Sequence, residues 1–200
     1  MKKLLLATNN HGKVAEMRAL LAALPLNLLT PADLHLELEV TEDGSSYAEN
    51  ATRKALAFAR AAGLAALGDD SGLEVDALLG RPGLHSHRFC PLPNATDADR
   101  RIYLLEQLAG LPRPWTARFQ ATVALALPDG QVHLAAGCCE GEIIPQERGT
   151  HGFGYDPLFL LPGIGLTMAE LSMDRKNELS HRARAVRNAI PLLREAMNLS

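Results

Sequence analysis

Three stretches of this chain combine residue types that can hold phosphate or activate water. The first is Thr8-Asn9-Asn10-His11-Gly12-Lys13, directly after a short apolar run. At a strand-to-helix turn the backbone amides lack helical partners and the helix N-terminus favours negative charge. Gly12 permits close approach there, and Lys13 adds a mobile cation. The spacing is not the G-x-x-x-x-G-K-[ST] of a P-loop, so taken alone the stretch reads more readily as an ordinary capped helix start. The second is Asp69-Asp70, followed by Ser71-Gly72. Two carboxylates at the end of a buried strand are costly unless a cation or hydrogen bonds compensate. Magnesium takes oxygen ligands and keeps several waters, so few carboxylates suffice, and one of them can also deprotonate an attacking water. The competing reading is a solvated acidic turn. The third, Glu42-Asp43, is a second source of metal ligands, or simply acid placed before a helix for its dipole.

Other positions offer binding rather than catalysis. Lys54 is within reach of a phosphate, while Glu49 and Arg53 have the spacing of a helical surface pair. Aromatic residues are 4% of the chain, yet two sit in Phe153-Gly154-Tyr155-Asp156-Pro157. An aromatic face stacks a base for about 1–3 kcal/mol; the alternative is a loop plugged into the core. Arg175-Lys176 and Ser180-His181-Arg182 can meet phosphate or a base edge, although basic residues of this kind are usually solvated. His85-Ser86-His87 lacks companion ligands and reads as non-metal.

These residues need elements to position them. Residues 3–8 read as a strand feeding a turn. Val14, Met17, Leu20, Leu21 and Leu24 then form a helical stripe that Pro25 ends. Ser46-Tyr47-Ala48-Glu49 matches a capping box opening an alanine-rich helix to Ala62, stopped by Gly63. Leu64 to Leu67 reads as a short buried strand running into Gly68-Asp69-Asp70. Thr96 to Asp99 resembles another helix start, with the helix continuing through Leu108. Residues 118–127 alternate, and Pro128-Asp129-Gly130 turns them into a hairpin over 118–138. Leu179, Ala183, Val186, Ile190, Leu193 and Met197 share a stripe on the last helix, where Pro191 is expected to kink or split it. Helices around strands and a hairpin predict a mixed α/β fold, with ligands at the carboxyl ends of strands.

Composition narrows the class. The 200 residues, 47% apolar and 22% charged, suit one domain over 1–200, in one piece or two lobes. No apolar run approaches the ~20 residues of a membrane span, and Leu4 to Ala7 is too short for a signal-peptide core. A net charge of −3 argues against a nucleic-acid polymer as partner. Cys90, Cys138 and Cys139 include no C-x-x-C, so a disulfide framework or zinc ribbon is not expected and a reducing cytoplasm is the natural setting.

The order of the signals is more telling than any one of them. Thr8-Asn9-Asn10-x-Gly12-Lys13, Glu42, Glu49-Asn50-Ala51 with Lys54, Asp69-Asp70-Ser71-Gly72-Leu73, Gly152 to Pro157 and Ser180-His181-Arg182 follow in succession. From residue 3 to about 190 the chain resembles the inosine triphosphate pyrophosphatase family, also called dITP/XTP pyrophosphatases. Leu84 to Pro93 departs from the usual segment, which puts that loop's contacts apart from the resemblance. The resemblance implies a two-lobed α/β fold with a long mixed sheet, a nucleotide cleft and a homodimer. It implies hydrolysis of ITP, dITP or XTP to monophosphate and pyrophosphate with Mg2+. Thr8, Asn9, Asn10, His11, Gly12 and Lys13 would hold the triphosphate, with Lys54 nearby. Asp70 would be the general base, and Glu42 and Asp70 would place the metal. Ser71, Phe153, Gly154, Tyr155, Asp156, Lys176, His181 and Arg182 would line the rest of the substrate site. Donors from His181, Arg182 or nearby backbone would pair with a 6-keto oxygen and leave an adenine amino group unpaired. Two other readings remain: a pyrophosphatase for modified pyrimidine nucleotides, and a nucleotide sensor without turnover.

Overall fold

A computed structural model describes residues 1–199. In chain order the main elements are β1 (Lys2–Leu6), α1 (His11–Leu21), β2 (Leu26–Leu29), α2 (Tyr47–Ala62), β3 (Ala65–Val75) and α3 (Asp97–Leu108). They are followed by β4 (Trp115–Ala126), β5 (Val132–Ile143), β6 (Phe159–Leu161), β7 (Leu166–Thr167), α4 (Met173–Leu179) and α5 (His181–Ala196). The strands hydrogen-bond in the order β2-β1-β3-β4-β5-β6-β7. β1 is parallel to β2 and β3, whereas β6 is antiparallel to β5 and β7, so the sheet is mixed. Among the described residues, no helix is long and apolar enough to cross a membrane.

Two compact units divide the chain. The first comprises Met1–Asp70, Ala121–Gly137 and the chain from His181 onward. Its β1 is buried without alternation (Leu4, Leu5 and Leu6), as expected of a strand covered on both faces. Leu4 and Leu6 pack with Met17 and Leu21 of α1 and with Ala185, Val186, Ala189 and Leu193 of α5. Leu5 packs on the other side with Ala51, Ala55 and Phe58 of α2. The second unit comprises Ser71–Gln120 and Cys138–Ser180. Its core joins Leu104 and Leu108 of α3 to Trp115, Phe119, Tyr155 and Phe159.

Local chemistry explains most boundaries. Asn10 caps α1 by accepting from the Lys13 amide at 3.0 Å. Thr96 and Asp99 form a reciprocal capping box on α3. At α2 the reciprocity is displaced: Ser46 Oγ accepts from the Glu49 amide, but the Glu49 carboxylate reaches back to the Ser45 amide at 2.9 Å. The hairpin turn lies where the glycine placed it, with the Leu127 amide donating to the Gln131 carbonyl at 2.9 Å.

Three expectations need correction. β3 does not stop before the aspartates but runs through Gly68-Asp69-Asp70-Ser71 to Val75. The last helical segment is two helices, because Ser180 is extended and separates α4 from α5. Pro191 does not split α5, which is continuous from His181 to Ala196; a proline in a helix gives up only its own N–H bond and crowds one carbonyl.

Candidate active site

Successive side chains on a strand point to opposite faces, and β3 uses this to give its two aspartates different environments. The Asp69 carboxylate is fully buried. It lies 3.1 Å from the Lys13 ammonium of α1 and accepts from the Arg182 guanidinium of α5 at 3.0 Å. Arg182 in turn binds Glu16 of α1, which is also buried. Glu16, Asp69, Lys13 and Arg182 therefore form a charge-balanced network, the condition under which buried ions are tolerated. Burial alone would raise the pKa of Asp69, but Lys13, Arg182 and Lys54 outweigh it and hold the carboxyl well below the usual carboxylate range.

Asp70 faces α2. Its Oδ2 accepts from the Asn50 side-chain amide at 2.9 Å. Burial raises the pKa of Asp70 above the ordinary aspartate value, and the nearby Glu42 charge adds to the rise; the Asn50 bond, Lys13 and Lys54 oppose it. Lys54 is one helical turn beyond Asn50 on α2. Its ammonium donates to the Asp69 carbonyl at 3.0 Å and pairs with Glu42 at 2.9 Å. Gly68 makes this proximity possible. A Cβ at that position would lie 2.8 Å from the Ala51 carbonyl oxygen and 2.9 Å from the Ala55 amide nitrogen.

The phosphate-binding candidates split by role. Thr8 is buried and accepts from the Asn10 amide at 3.2 Å; Asn9, Asn10 and His11 are exposed, and Gly12 and Lys13 are half-buried. His11 and Gly12 open α1 itself rather than a preceding loop. His181 is buried at the start of α5. Arg182 is not a solvated base: its guanidinium is committed to Glu16 and Asp69 and binds α1 and α5 to β3.

Within the second unit, Asp156 organises the Phe153 loop. Its carboxylate accepts from the Phe153 amide at 2.9 Å and from the buried Lys176 ammonium. That ammonium lies 4.8 Å from the centroid of the Phe153 ring, a cation–π contact. Gly152 has a positive φ of 76°, and a Cβ there would fall 2.1 Å from the Asp156 carboxylate. Phe153 and Gly154 are half-buried. Tyr155 plugs the core instead, donating to the Ser86 carbonyl at 2.8 Å. Ser71 follows Asp70 on β3 and is half-buried.

Sequence reasoning missed several organising residues. Glu16 was detectable in principle as an acid between Lys13 and Met17 in a helix with an apolar stripe. Ser86, flanked by the two histidines, accepts from the Leu73 amide at 2.8 Å and donates to the Gly83 carbonyl at 2.7 Å. No motif announces such a knot. Among the described residues, no group of three or more His, Cys, Asp or Glu side chains could hold a metal. Glu42 pairs with Lys54 at 2.9 Å, and its charge acts on the Asp70 carboxylate.

The Ham1 family model matches residues 4–192, which covers every group described above. The chain belongs to the Ham1 family. Relatives of this Ham1-family chain include a dITP/XTP pyrophosphatase of Desulforamulus reducens, 47% identical, with 96% of this chain and 95% of the relative covered. A dITP/XTP pyrophosphatase of Thermus thermophilus is also 47% identical, over 92% of this chain and 88% of the relative. Among solved structures, a HAM1 protein from Coxiella burnetii superposes with a TM-score of 0.87 at 38% identity, covering 98% of this chain and 100% of that one. Family membership thus accords with the order of motifs, including the acidic pair on β3 and the glycine-rich turn before β6.

Proposed function

We propose that this Ham1-family chain hydrolyses non-standard purine nucleoside triphosphates (ITP, dITP and XTP) to the monophosphate and pyrophosphate. The observation that carries the reaction is the arrangement around Asp70, a carboxylate held by Asn50 at 2.9 Å, raised in pKa by burial, and near enough to Lys13, Lys54 and Glu42 to feel their charges. A base poised closer to the operating pH accepts a proton more effectively than an ordinary aspartate. In this reading a water oxygen attacks the α-phosphorus and its proton passes to Asp70. The bond from that phosphorus to the oxygen bridging to the β-phosphate breaks, and pyrophosphate leaves. Lys13 and Lys54 offset charge on the departing oxygens, and the first amides of α1 supply donors to the phosphates.

The donor set also fits magnesium. Two carboxylates with a net negative surplus suit a hard cation that keeps several waters and takes further ligands from substrate phosphates. Glu42 and Asp70 would hold it, and it would supply Lewis-acid charge neutralisation at the phosphates. Phe153, half-exposed and backed by Lys176, is assigned to stacking the purine. The relatives named dITP/XTP pyrophosphatase support the choice of substrates. The same reading takes the working form as a homodimer, for which sedimentation would give twice the chain mass.

The test is pyrophosphate release with Mg2+ from ITP, XTP, GTP, ATP, dTTP and CTP at equal concentration. Release mainly from ITP and XTP is expected. Preference for pyrimidines would overturn the base assignment, and release from none would overturn the reaction.

A further inference from the structure

Asn50 is nearly inaccessible to solvent, at 1% exposure, yet both ends of its side-chain amide are engaged. Its Oδ1 accepts from the Gly44 backbone amide at 2.8 Å, and its Nδ2 donates to Asp70 Oδ2 at 2.9 Å. A backbone N–H can only donate, so Gly44 fixes which way the Asn50 amide points. The NH2 is thereby turned toward Asp70, where it meets an acceptor. Aspartate at position 50 would set a carboxylate against a carboxylate, and a shorter residue would reach neither partner.

The surroundings are built to hold this geometry. Gly44 approaches so closely that a Cβ would lie 2.6 Å from Asn50 Oδ1. The segment between Gly44 and α2 is fastened to the first turn by the Ser45 backbone amide donating to the Glu49 carboxylate at 2.9 Å and by the Asn50 backbone amide donating to the Ser46 carbonyl at 3.1 Å. On the other side, Gly68 lets α2 approach β3, which brings Asn50 within reach of Asp70. Two residues before Gly44 lies Glu42, itself paired with Lys54 at 2.9 Å.

We propose that Asn50 is a positioning residue that fixes the plane of the Asp70 carboxylate and couples it to the backbone segment carrying Glu42. This rests on the reading of Asp70 as the base, because Asp70 is the reacting group that the Asn50 side chain contacts. A hydrogen bond from a neutral amide to a carboxylate is charge-assisted and directional. Its loss lets the carboxylate rotate away from the attacking water, which lowers turnover without removing a substrate contact.

A double-mutant cycle on ITP hydrolysis with Mg2+ tests this. Asn50→Ala in the wild-type background is expected to lower kcat about 10–100-fold, with KM within about threefold. In the Asp70→Asn background, the same change is expected to lower the residual kcat less than about twofold, because the coupled group is already gone. Where Asn50→Ala does not fold, as judged by circular dichroism, Asn50→Leu replaces it. That variant keeps a side chain of similar length and offers Asp70 no donor and no new charge, and the same pattern is expected. Equal losses in both backgrounds would mark Asn50 as merely structural and overturn the inference, as would a kcat for Asn50→Ala near that of the wild type. Near-normal kcat in Asp70→Asn alone would instead overturn Asp70 as the base.

Discussion

Asp69 and Asp70 are adjacent in sequence, yet their replacement by asparagine should have opposite consequences. Asp69→Asn removes one charge from a buried network in which the carboxylate meets Lys13 at 3.1 Å and Arg182 at 3.0 Å. Breaking a buried ion pair by removing one partner costs about 3–5 kcal/mol. Asparagine keeps the volume and one acceptor oxygen, and Arg182 retains Glu16, so the low end, about 3 kcal/mol, applies. At about 2–4 °C per kcal/mol for a chain of this size, Tm should fall by about 6–12 °C. Asp70→Asn removes a charge that burial disfavours and Glu42 repels, at the expense of attraction to Lys13 and Lys54. These effects oppose one another, and the net change should stay within about 1 kcal/mol. Turnover should respond the other way, falling about 10²–10⁴-fold in Asp70→Asn through loss of the proton acceptor. Thermal unfolding followed by far-UV circular dichroism measures the first unit together with the second. Fluorescence of Trp115, the sole tryptophan, reports the second unit alone. A Tm shift below about 2 °C for Asp69→Asn, or an equal loss of stability in Asp70→Asn, would refute this division of labour.

Other perturbations probe the same framework. Asp69 has its carboxyl depressed in the folded state, so its contribution is fully present above the ordinary value of about 3.9 and is lost as pH falls below it toward the folded value. Urea midpoints should therefore drop more steeply below about pH 4 in the wild type than in Asp69→Asn, and parallel profiles would count against it. Phe153→Ala should raise KM for ITP about 5–150-fold, the equivalent of 1–3 kcal/mol of stacking, while an unchanged KM would remove Phe153 from base binding. Excess chelator should abolish pyrophosphate release and added Mg2+ should restore it; undiminished release would exclude the metal. Gly68→Ala forces a methyl to 2.8 Å from a backbone oxygen of α2 and should cost about 1–3 kcal/mol, measured as a lower urea midpoint together with reduced kcat.

What the sequence made legible was local. Caps at Ser46 and Thr96 and the turn at Gly130 are decided by neighbours within a few residues, and each is where its residue types placed it. The extent of β3 was not legible, because acidic and glycine residues are poor strand formers. Their place in the strand is secured by α2 against Gly68 and by ion pairs from α1 and α5. Arg182 shows the same limit from the other side. Its partners Asp69 and Glu16 lie 113 and 166 residues away in the chain, so no window around Ser180-His181-Arg182 reveals that the guanidinium is buried. The consequence is chemical as well as structural. Arg182 and Lys13 neutralise Asp69, leaving Asp70, whose pKa burial raises, as the carboxylate suited to take a proton. In the proposed reaction, a motif of two aspartates divides into a base and a structural counter-ion only once α1, α2 and α5 are in place around β3.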